Sequence, residues 1–115
     1  MSLRILIVGY GRMGKEIDAL STRCDCTIVE RLDIHNNTSG VGMTAELLQD
    51  VDVAIDFSTA ASTLVNLPRL AAAGVNAVIG TTGWNDQQIA MRQVVENAGI
   101  GVVVAANFSL GVNLF

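Results

Sequence analysis

Residues 3–16 read LRILIVGYGRMGKE, and the first six of them form an apolar run that is typical of a buried strand. Directly after this run, Gly9, Gly11 and Gly14 form the pattern G-x-G-x-x-G, and a helical pattern follows over residues 12–22. The first glycine permits a tight turn, the second lets a pyrophosphate approach the backbone, and the third lets the helix pack closely. The stretch therefore predicts a strand, a phosphate-binding turn and a helix whose N-terminus faces the phosphates.

The rest of the chain repeats this alternation of short apolar runs and helical patterns. Apolar runs predict further strands at residues 26–30, 51–57, 76–80 and 100–106. Helical patterns lie between them at residues 43–50, 60–73 and 85–97. This alternation predicts an α/β protein with a Rossmann-like, doubly wound open parallel sheet of about five strands and helices on both faces. Ligands bind at the carboxyl ends of such strands, so the candidate site loops are 9–14, 30–33, 57–60, 80–84 and 105–109.

The composition argues against several classes of partner and site. Half of the 115 residues are apolar and the net charge is −4, which disfavours a surface for nucleic acid or anionic membrane. The sequence has no run of 18 apolar residues, and its N-terminal apolar stretch is too short for a signal peptide, so we expect a cytoplasmic protein. Cys24 and Cys26 form C-x-C in a chain whose one histidine is His35, so we expect reduced thiols and no metal site.

Charged residues near the predicted phosphate turn suggest contacts to a dinucleotide. Glu30 lies 21 positions after Gly9, close to the spacing of about 20 at which such folds place an acid on the ribose hydroxyls. Arg31 follows Glu30, and a guanidinium there could hold a 2′-phosphate, so the pair is compatible with NADH or NADPH. Arg12 could cover the adenine or a phosphate. For each of the three, a solvated surface charge is the alternative interpretation.

The same glycine stretch comes close to a second nucleotide-binding motif. Gly9, Gly14 and Lys15 fit the pattern G-x-x-x-x-G-K of the loop that binds nucleoside triphosphates. That loop needs Ser or Thr at the next position to ligate Mg²⁺, and the chain has Glu16 there. A carboxylate beside the phosphates would repel them, so the sequence disfavours this alternative.

The loops after the fourth and fifth predicted strands offer polar groups for a ligand but no obvious acid or base. Thr81 and Thr82 supply hydroxyls after the fourth strand, and Asn107 supplies an amide after the fifth. Asp56 ends the third strand and is the one carboxylate well placed near the cleft, where a structural role and proton transfer both stay open. We therefore expect the chain to hold a dinucleotide and to have no catalytic residue of its own.

Four motifs in order carry a resemblance to a known family: GYGRMG (9–14), AIDFS (54–58), VIGTTGW (78–84) and AANFSLGVN (105–113). Together they resemble the N-terminal domain of the dihydrodipicolinate reductase family, whose members reduce a cyclic substrate of lysine biosynthesis with NADH or NADPH. The resemblance covers essentially the whole chain. It implies that residues 9–14 bind pyrophosphate, Glu30 the ribose and Arg31 a 2′-phosphate, while the later motifs flank the nicotinamide. The expected cofactor-binding residues are Gly9, Tyr10, Gly11, Arg12, Met13, Gly14, Glu30, Arg31, Phe57, Gly80, Thr81, Thr82, Ala105, Ala106, Asn107 and Phe108.

The chain departs from the family in its length. Family members continue into a second domain with a His-His-x-x-Lys motif and an Asp-Ala-Pro-Ser-Gly-Thr loop, and neither occurs in these 115 residues. We therefore expect residues 1–108 to be a dinucleotide-binding domain and residues 109–115 to begin the connection to an absent substrate domain. Such a chain would bind cofactor without turnover and meet a small-molecule substrate only with that domain. A homo-oligomer is an open alternative to a monomer.

Two further points stay open at the level of sequence. A stand-alone dinucleotide-binding module or redox sensor, and another amino-acid-type NAD(P)-dependent dehydrogenase, would share the same N-terminal pattern. In residues 107–115, apolar residues alternate as in a strand, whereas the resemblance implies a helix that starts at Ser109. We expect the helix.

Overall fold

A computed structural model of the chain describes residues 2–81, 85–107 and 111–114. Its strands are β1 (Leu3–Val8), β2 (Cys26–Leu32), β3 (Val53–Asp56), β4 (Asn76–Ile79), β5 (Val102–Asn107) and β6 (Gly111–Leu114). Its α-helices are α1 (Arg12–Ser21), α2 (Ala45–Leu48), α3 (Ala60–Ala72) and α4 (Gln88–Ala98). Short 3-10 turns at Thr38–Gly40 and Asn85–Gln87 complete the order of elements.

The six strands form one sheet in the order β2-β1-β3-β4-β5-β6, and the first five of them are parallel. The chain moves outward from β1 to β2, then crosses to the other side of β1 and continues from β3 to β5. The carboxyl ends of β1 and β3 are therefore neighbours at the point where the strand order reverses, and a crevice opens there. The predicted doubly wound parallel sheet is confirmed.

Helices cover both faces of this sheet. Successive strand residues point to opposite faces, and Leu6 belongs to the buried cluster that includes Leu67 and Leu70 of α3. Ile7 points the other way, where a Cβ added to Gly14 of α1 would lie 3.1 Å from its Cγ2. The sheet therefore lies between α1 on one face and α3 with α4 on the other, as predicted. None of the helices within the described ranges is both long and apolar enough to cross a membrane.

Side-chain caps begin α2 and α3, and a glycine ends α4. The hydroxyl of Thr44 accepts a hydrogen bond from the Leu47 amide at 3.1 Å, and that of Thr59 accepts one from the Ser62 amide at 3.2 Å. These bonds satisfy backbone donors that the first turn of a helix leaves unpaired. At the other end of α4, Gly99 adopts φ 73°, the left-handed conformation that commonly ends a helix.

The second strand is longer than predicted, and this corrects the placement of its end. The prediction ends the strand at Glu30, whereas β2 continues to Leu32 and the Gly9 amide donates to the Leu32 carbonyl at 2.8 Å. The register along β1 jumps from Ile28 to Glu30, which leaves Val29 as an extra residue in a bulge. The first residue beyond the strand is therefore Asp33.

The C-terminal segment differs from the helix that we expected. Residues Gly111–Leu114 form β6, which pairs antiparallel with β5 through Val103 with Leu114 and Val104 with Asn113. The expected helix is wrong for these residues, and the strand alternative is what the structure contains; Ser109 lies outside the described residues. The edge of β5 offers unpaired amides and carbonyls, and a neighbouring extended segment satisfies them.

The buried face of α3 provides a test of the packing. Leu67 is 0% exposed whereas Val65 on the same helix is 39% exposed. We expect Leu67→Ala to lower the free energy of unfolding by about 2–5 kcal/mol because it leaves a cavity in the core. Val65→Ala is the matched control and should lower it by less than about 1 kcal/mol. Urea denaturation followed by circular dichroism measures both, and equal losses would contradict the packing described.

Candidate functional site

The glycine loop between β1 and α1 is held in a conformation and at a distance that only glycine allows. Gly9 has φ +88°, and a Cβ at this position would lie 2.7 Å from the Ser58 amide nitrogen. A Cβ at Gly14 would lie 2.5 Å from the Gly9 carbonyl oxygen. These two glycines bring the turn, the start of α1 and the loop after β3 into direct contact.

Gly11 differs from Gly9 and Gly14 because it has open space around it. A Cβ built at Gly11 would meet nothing within 4 Å. Gly11 is also the N-cap of α1, and its helix has no side-chain cap hydrogen bond. The first turn of a helix leaves backbone amides unpaired, so this end of α1 presents donors and the positive end of the helix dipole to the crevice.

A cleft of about 300 Å³ lies beside this loop, at the carboxyl ends of β1, β2 and β3. Its size is at the lower end of the range for small-molecule sites. Its position is the crevice where doubly wound sheets bind ligands. The cleft is lined by Val8, Gly9, Tyr10, Gly11, Leu32, Asp33, Ile34, Asn37, Ser58, Thr59, Ser62 and Asn66.

Only part of the predicted glycine-loop set faces this cleft. Gly9, Tyr10 and Gly11 line it, while Gly14 lies beneath the turn. The Arg12 side chain is 94% exposed and has its Nε 3.8 Å from a carboxylate oxygen of Glu16, and Met13 is exposed as well. Arg12 and Met13 therefore lie at the rim of the site rather than in the cleft.

The two charged residues predicted for the adenosine end do not line the cleft. Glu30 is exposed, and its Oε1 accepts a hydrogen bond from the backbone amide of Arg31 at 2.8 Å. The Arg31 side chain turns toward α1, where its Nη2 donates to Asp18 at 2.8 Å. The acid that does line the cleft is Asp33, three residues beyond Glu30. The sequence analysis missed Asp33 because β2 extends two residues beyond its predicted end. The only signal in the sequence was a second acid soon after that predicted end.

Backbone hydrogen bonds favour the ionised form of Asp33, which can accept further hydrogen bonds. Its Oδ1 accepts backbone hydrogen bonds from His35 at 2.8 Å and from Asn36 at 3.1 Å. These two bonds lower the pKa of the Asp33 carboxyl from its ordinary value. Both bonds use the same oxygen, and Oδ2 has no hydrogen-bond partner among the described residues. Asp33 therefore brings a charged oxygen to the cleft.

Asp56 organises the opposite side of the crevice. Its carboxylate is 1% exposed and accepts hydrogen bonds from the Ser58 amide and hydroxyl at 2.8 and 2.5 Å. The hydroxyls of Thr63 and Thr81 donate to it at 3.2 and 3.4 Å. Burial raises the pKa of Asp56, and these hydrogen bonds oppose that shift. With four donors around it, Asp56 links the loop after β3 to α3 and to Thr81.

Two of the residues predicted for the nicotinamide end, Gly80 and Thr81, contact Asp56. A side chain at Gly80 would collide with the Phe57 ring, and the Gly80 amide donates to the Asp56 carbonyl at 2.8 Å. Thr81 is buried beside them. Ala105 is buried in β5, and Ala106 and Asn107 complete that strand, while Thr82 and Phe108 lie outside the described residues.

The remaining reactive side chains form no second centre in the described part of the chain. Cys24 and Cys26 are free thiols, and His35 is exposed. No group of three or more His, Cys, Asp or Glu side chains that could hold a metal ion occurs among the described residues.

The sheet order, the glycine turn and the cleft at the strand reversal define a Rossmann-like α/β domain with a ligand crevice. Residues 3–108 match the family model described as dihydrodipicolinate reductase, N-terminus. The chain belongs to this family and corresponds to its N-terminal domain.

Individual relatives agree with the family match. A 4-hydroxy-tetrahydrodipicolinate reductase of Christiangramia forsetii is 37% identical over 98% of this chain, and the match covers 45% of that protein. The enzyme of the same name from Acinetobacter baumannii strain AYE is 42% identical over 96% of this chain, and the match covers 42% of that protein. The one from Methanopyrus kandleri is 46% identical over 59% of this chain, and the match covers 25% of that protein. The chain thus spans less than half the length of the curated relatives it matches.

The carboxylate of Asp18 provides a pH test of the site's scaffold. Hydrogen bonds from Arg31 and then Tyr10 lower the pKa of Asp18 from 3.8 to about 2. Its contribution to stability is therefore full above about pH 4 and is lost as the pH falls toward 2. We expect Asp18→Asn to flatten the acid loss of stability in urea titrations between pH 6 and 2. Asp86→Asn, at an exposed residue, is the control, and an unchanged slope in Asp18→Asn would contradict the ion pair.

Proposed function

We propose that this chain is the cofactor-binding domain of an NAD(P)H-dependent reductase that acts on 4-hydroxy-tetrahydrodipicolinate in lysine biosynthesis. The observation that carries the proposal is the cleft between the glycine turn and the ends of β2 and β3, in a chain of this family. The relatives bear the name of that reductase. A cleft at this place suits the adenosine and pyrophosphate parts of a dinucleotide.

The glycine turn is the proposed pyrophosphate site. Gly11 leaves open space where a side chain would stand, and the start of α1 presents unpaired amides. Backbone amides and the helix dipole suit a doubly charged pyrophosphate, although the chain as a whole is acidic. Tyr10 borders the cleft and would contact the cofactor beside the turn.

Asp33 is the proposed acceptor for the adenosine ribose hydroxyls. It lines the cleft, its carboxylate is held ionised, and it directly follows β2, the place where this class of fold puts such an acid. Glu30, the acid expected from spacing alone, is not part of the cleft lining. A carboxylate beside the 2′-position would repel a 2′-phosphate, so we propose NADH as the preferred cofactor.

The residues around Asp56 are the proposed nicotinamide end. Phe57, Gly80 and Thr81 are in contact there, and Thr82 with Ala105, Ala106, Asn107 and Phe108 would complete the pocket. The bound nicotinamide would supply the hydride. The chain's own residues would bind the ring, orient one face toward the substrate and keep water from it.

The proton needed with the hydride would come from outside this chain. Asp56 is enclosed by four hydrogen-bond donors, and the exposed His35 follows β2, at the adenosine end of the crevice. We propose that residues 1–108 bind the cofactor and that a substrate domain, reached through residues 109–115, supplies the acid. This chain alone would then bind cofactor without turnover.

Gly11 offers a substitution that blocks binding without disturbing the fold. Because a Cβ there meets nothing within 4 Å, Gly11→Ala should keep the melting temperature. The methyl group would stand where the pyrophosphate approaches, so we expect the NADH affinity to fall at least about tenfold in isothermal titration calorimetry. Gly101→Ala, whose Cβ would lie 3.8 Å from Asn76 Oδ1, is the control. Absence of binding by the unsubstituted chain at millimolar NADH would refute the proposed function.

A second pair of variants identifies the ribose acceptor. Asp33→Asn keeps an oxygen for the His35 and Asn36 amides but removes the charge, so NADH affinity should fall about tenfold. Glu30→Gln should change it less than about twofold, since Glu30 lies outside the cleft lining. The opposite ranking would restore Glu30 as the ribose acceptor.

A further inference from the structure

Three side chains from three elements meet behind the cleft in what we call the Asp18 cluster: Tyr10, Asp18 and Arg31. Oδ2 of Asp18 accepts hydrogen bonds from the Tyr10 hydroxyl at 2.7 Å and from Arg31 Nε at 2.5 Å. Oδ1 accepts a third from Arg31 Nη2 at 2.8 Å. The carboxylate and the guanidinium thus form a two-point pair, the strongest geometry available to these groups.

The cluster is joined directly to the lining of the cleft. Tyr10 belongs both to the cluster and to the cleft wall, and it comes from the glycine turn. Arg31 lies in β2, two residues before Asp33, which is the first residue beyond that strand. Two residues of extended chain span only about 7 Å. A guanidinium at Arg31 is therefore close enough to serve the cleft beside Asp33, if it is released from Asp18.

In the structure, the Arg31 guanidinium is paired with Asp18 and does not line the cleft. The Asp18 side chain is 18% exposed and that of Arg31 is 42% exposed, so water screens the pair only in part. The charge of Asp18 offsets that of Arg31, and the two-point geometry fixes the direction in which the guanidinium points. The cleft thus presents the negative charge of Asp33 while the nearest arginine on the same strand is neutralised.

We propose that Asp18 is a specificity-determining residue, which makes the site selective for NADH by withholding Arg31 from the 2′-position. This inference rests on the proposed binding of a nicotinamide dinucleotide. NADPH differs from NADH by a 2′-phosphate with a charge near −2, and Asp33 repels it. Arg31 is the side chain suited to pair with that phosphate, and Asp18 occupies it.

The other cations near the turn, Arg12 and Lys15, are the same in every variant that tests this proposal. Arg12 pairs with Glu16, and Lys15 Nζ lies 5.9 Å from the centre of the Tyr10 ring. Both are present in every variant below. Their contributions therefore cancel when the ratio of the two dissociation constants is compared between variants, and the double variant below isolates the contribution of Arg31.

The test measures Kd for NADH and for NADPH by fluorescence titration in the 115-residue chain and its variants. Asp18→Asn and Asp18→Ala should each lower the ratio of Kd for NADPH to Kd for NADH by about tenfold, because a charge-assisted bond to the phosphate becomes available. The double variant Asp18→Asn with Arg31→Gln should return the ratio to its original value. Asp52→Asn is the matched control. Asp52 pairs with Arg4 at the opposite end of β1, where Arg4 Nη2 lies 3.2 Å from its Oδ1, so this variant also removes the carboxylate partner of an arginine.

Each result decides between a specificity role and a merely structural one. If Asp18 only braces α1 against β2, both affinities fall together and the ratio stays within twofold, which overturns the inference. Retention of the gain in the double variant overturns it too, since the phosphate would then be held by another group. Failure of the unsubstituted chain to bind either cofactor overturns this inference together with the proposed function, whereas NADH binding with an unchanged ratio overturns this inference alone.

Discussion

The close approach at Gly9 is the constraint on which the site depends. The Gly9 amide bonds to the Leu32 carbonyl at 2.8 Å, while the backbone of the loop after β3 lies within 3 Å of where its Cβ would be. One residue therefore joins the ends of β1, β2 and β3 in a conformation with positive φ. Any side chain at this position would push the strand ends apart, so the crevice exists only because residue 9 has none.

Asp56, at the end of β3, is a second residue that holds the loops around the crevice together. A carboxylate that is 1% exposed is costly unless donors surround it, and Ser58, Thr63 and Thr81 provide them. The same bonds tie the loop after β3 to the first turn of α3 and to the end of β4. A polar group that would otherwise destabilise the core thus holds the loops after β3 and β4 together, which explains an acid in an otherwise apolar strand.

The local charges around the crevice depend on which side chains form ion pairs there, and not on the net charge of the chain. The chain is acidic overall, yet the turn offers backbone amides at the start of α1 and the cleft offers one ionised acid, Asp33. Arg31 is the residue that could reverse this pattern, and Asp18 holds it. The arrangement separates a region suited to phosphate from one suited to sugar hydroxyls, as a dinucleotide requires.

The sequence by itself determined the alternation of strands and helices and the glycine turn, and four of its motifs carried the resemblance to the family. The alternation follows from apolar periodicity and the turn from backbone freedom at glycine, which are both local chemistry. The tertiary structure alone decided which acid enters the cleft, because β2 continues to Leu32 through its pairing with β1, with a one-residue bulge at Val29. It also decided the partner of Arg31, since Asp18 is 13 residues away along the chain and meets it only when α1 packs beside β2. The strand at Gly111–Leu114 was decided in the same way, by the backbone groups that the edge of β5 offers.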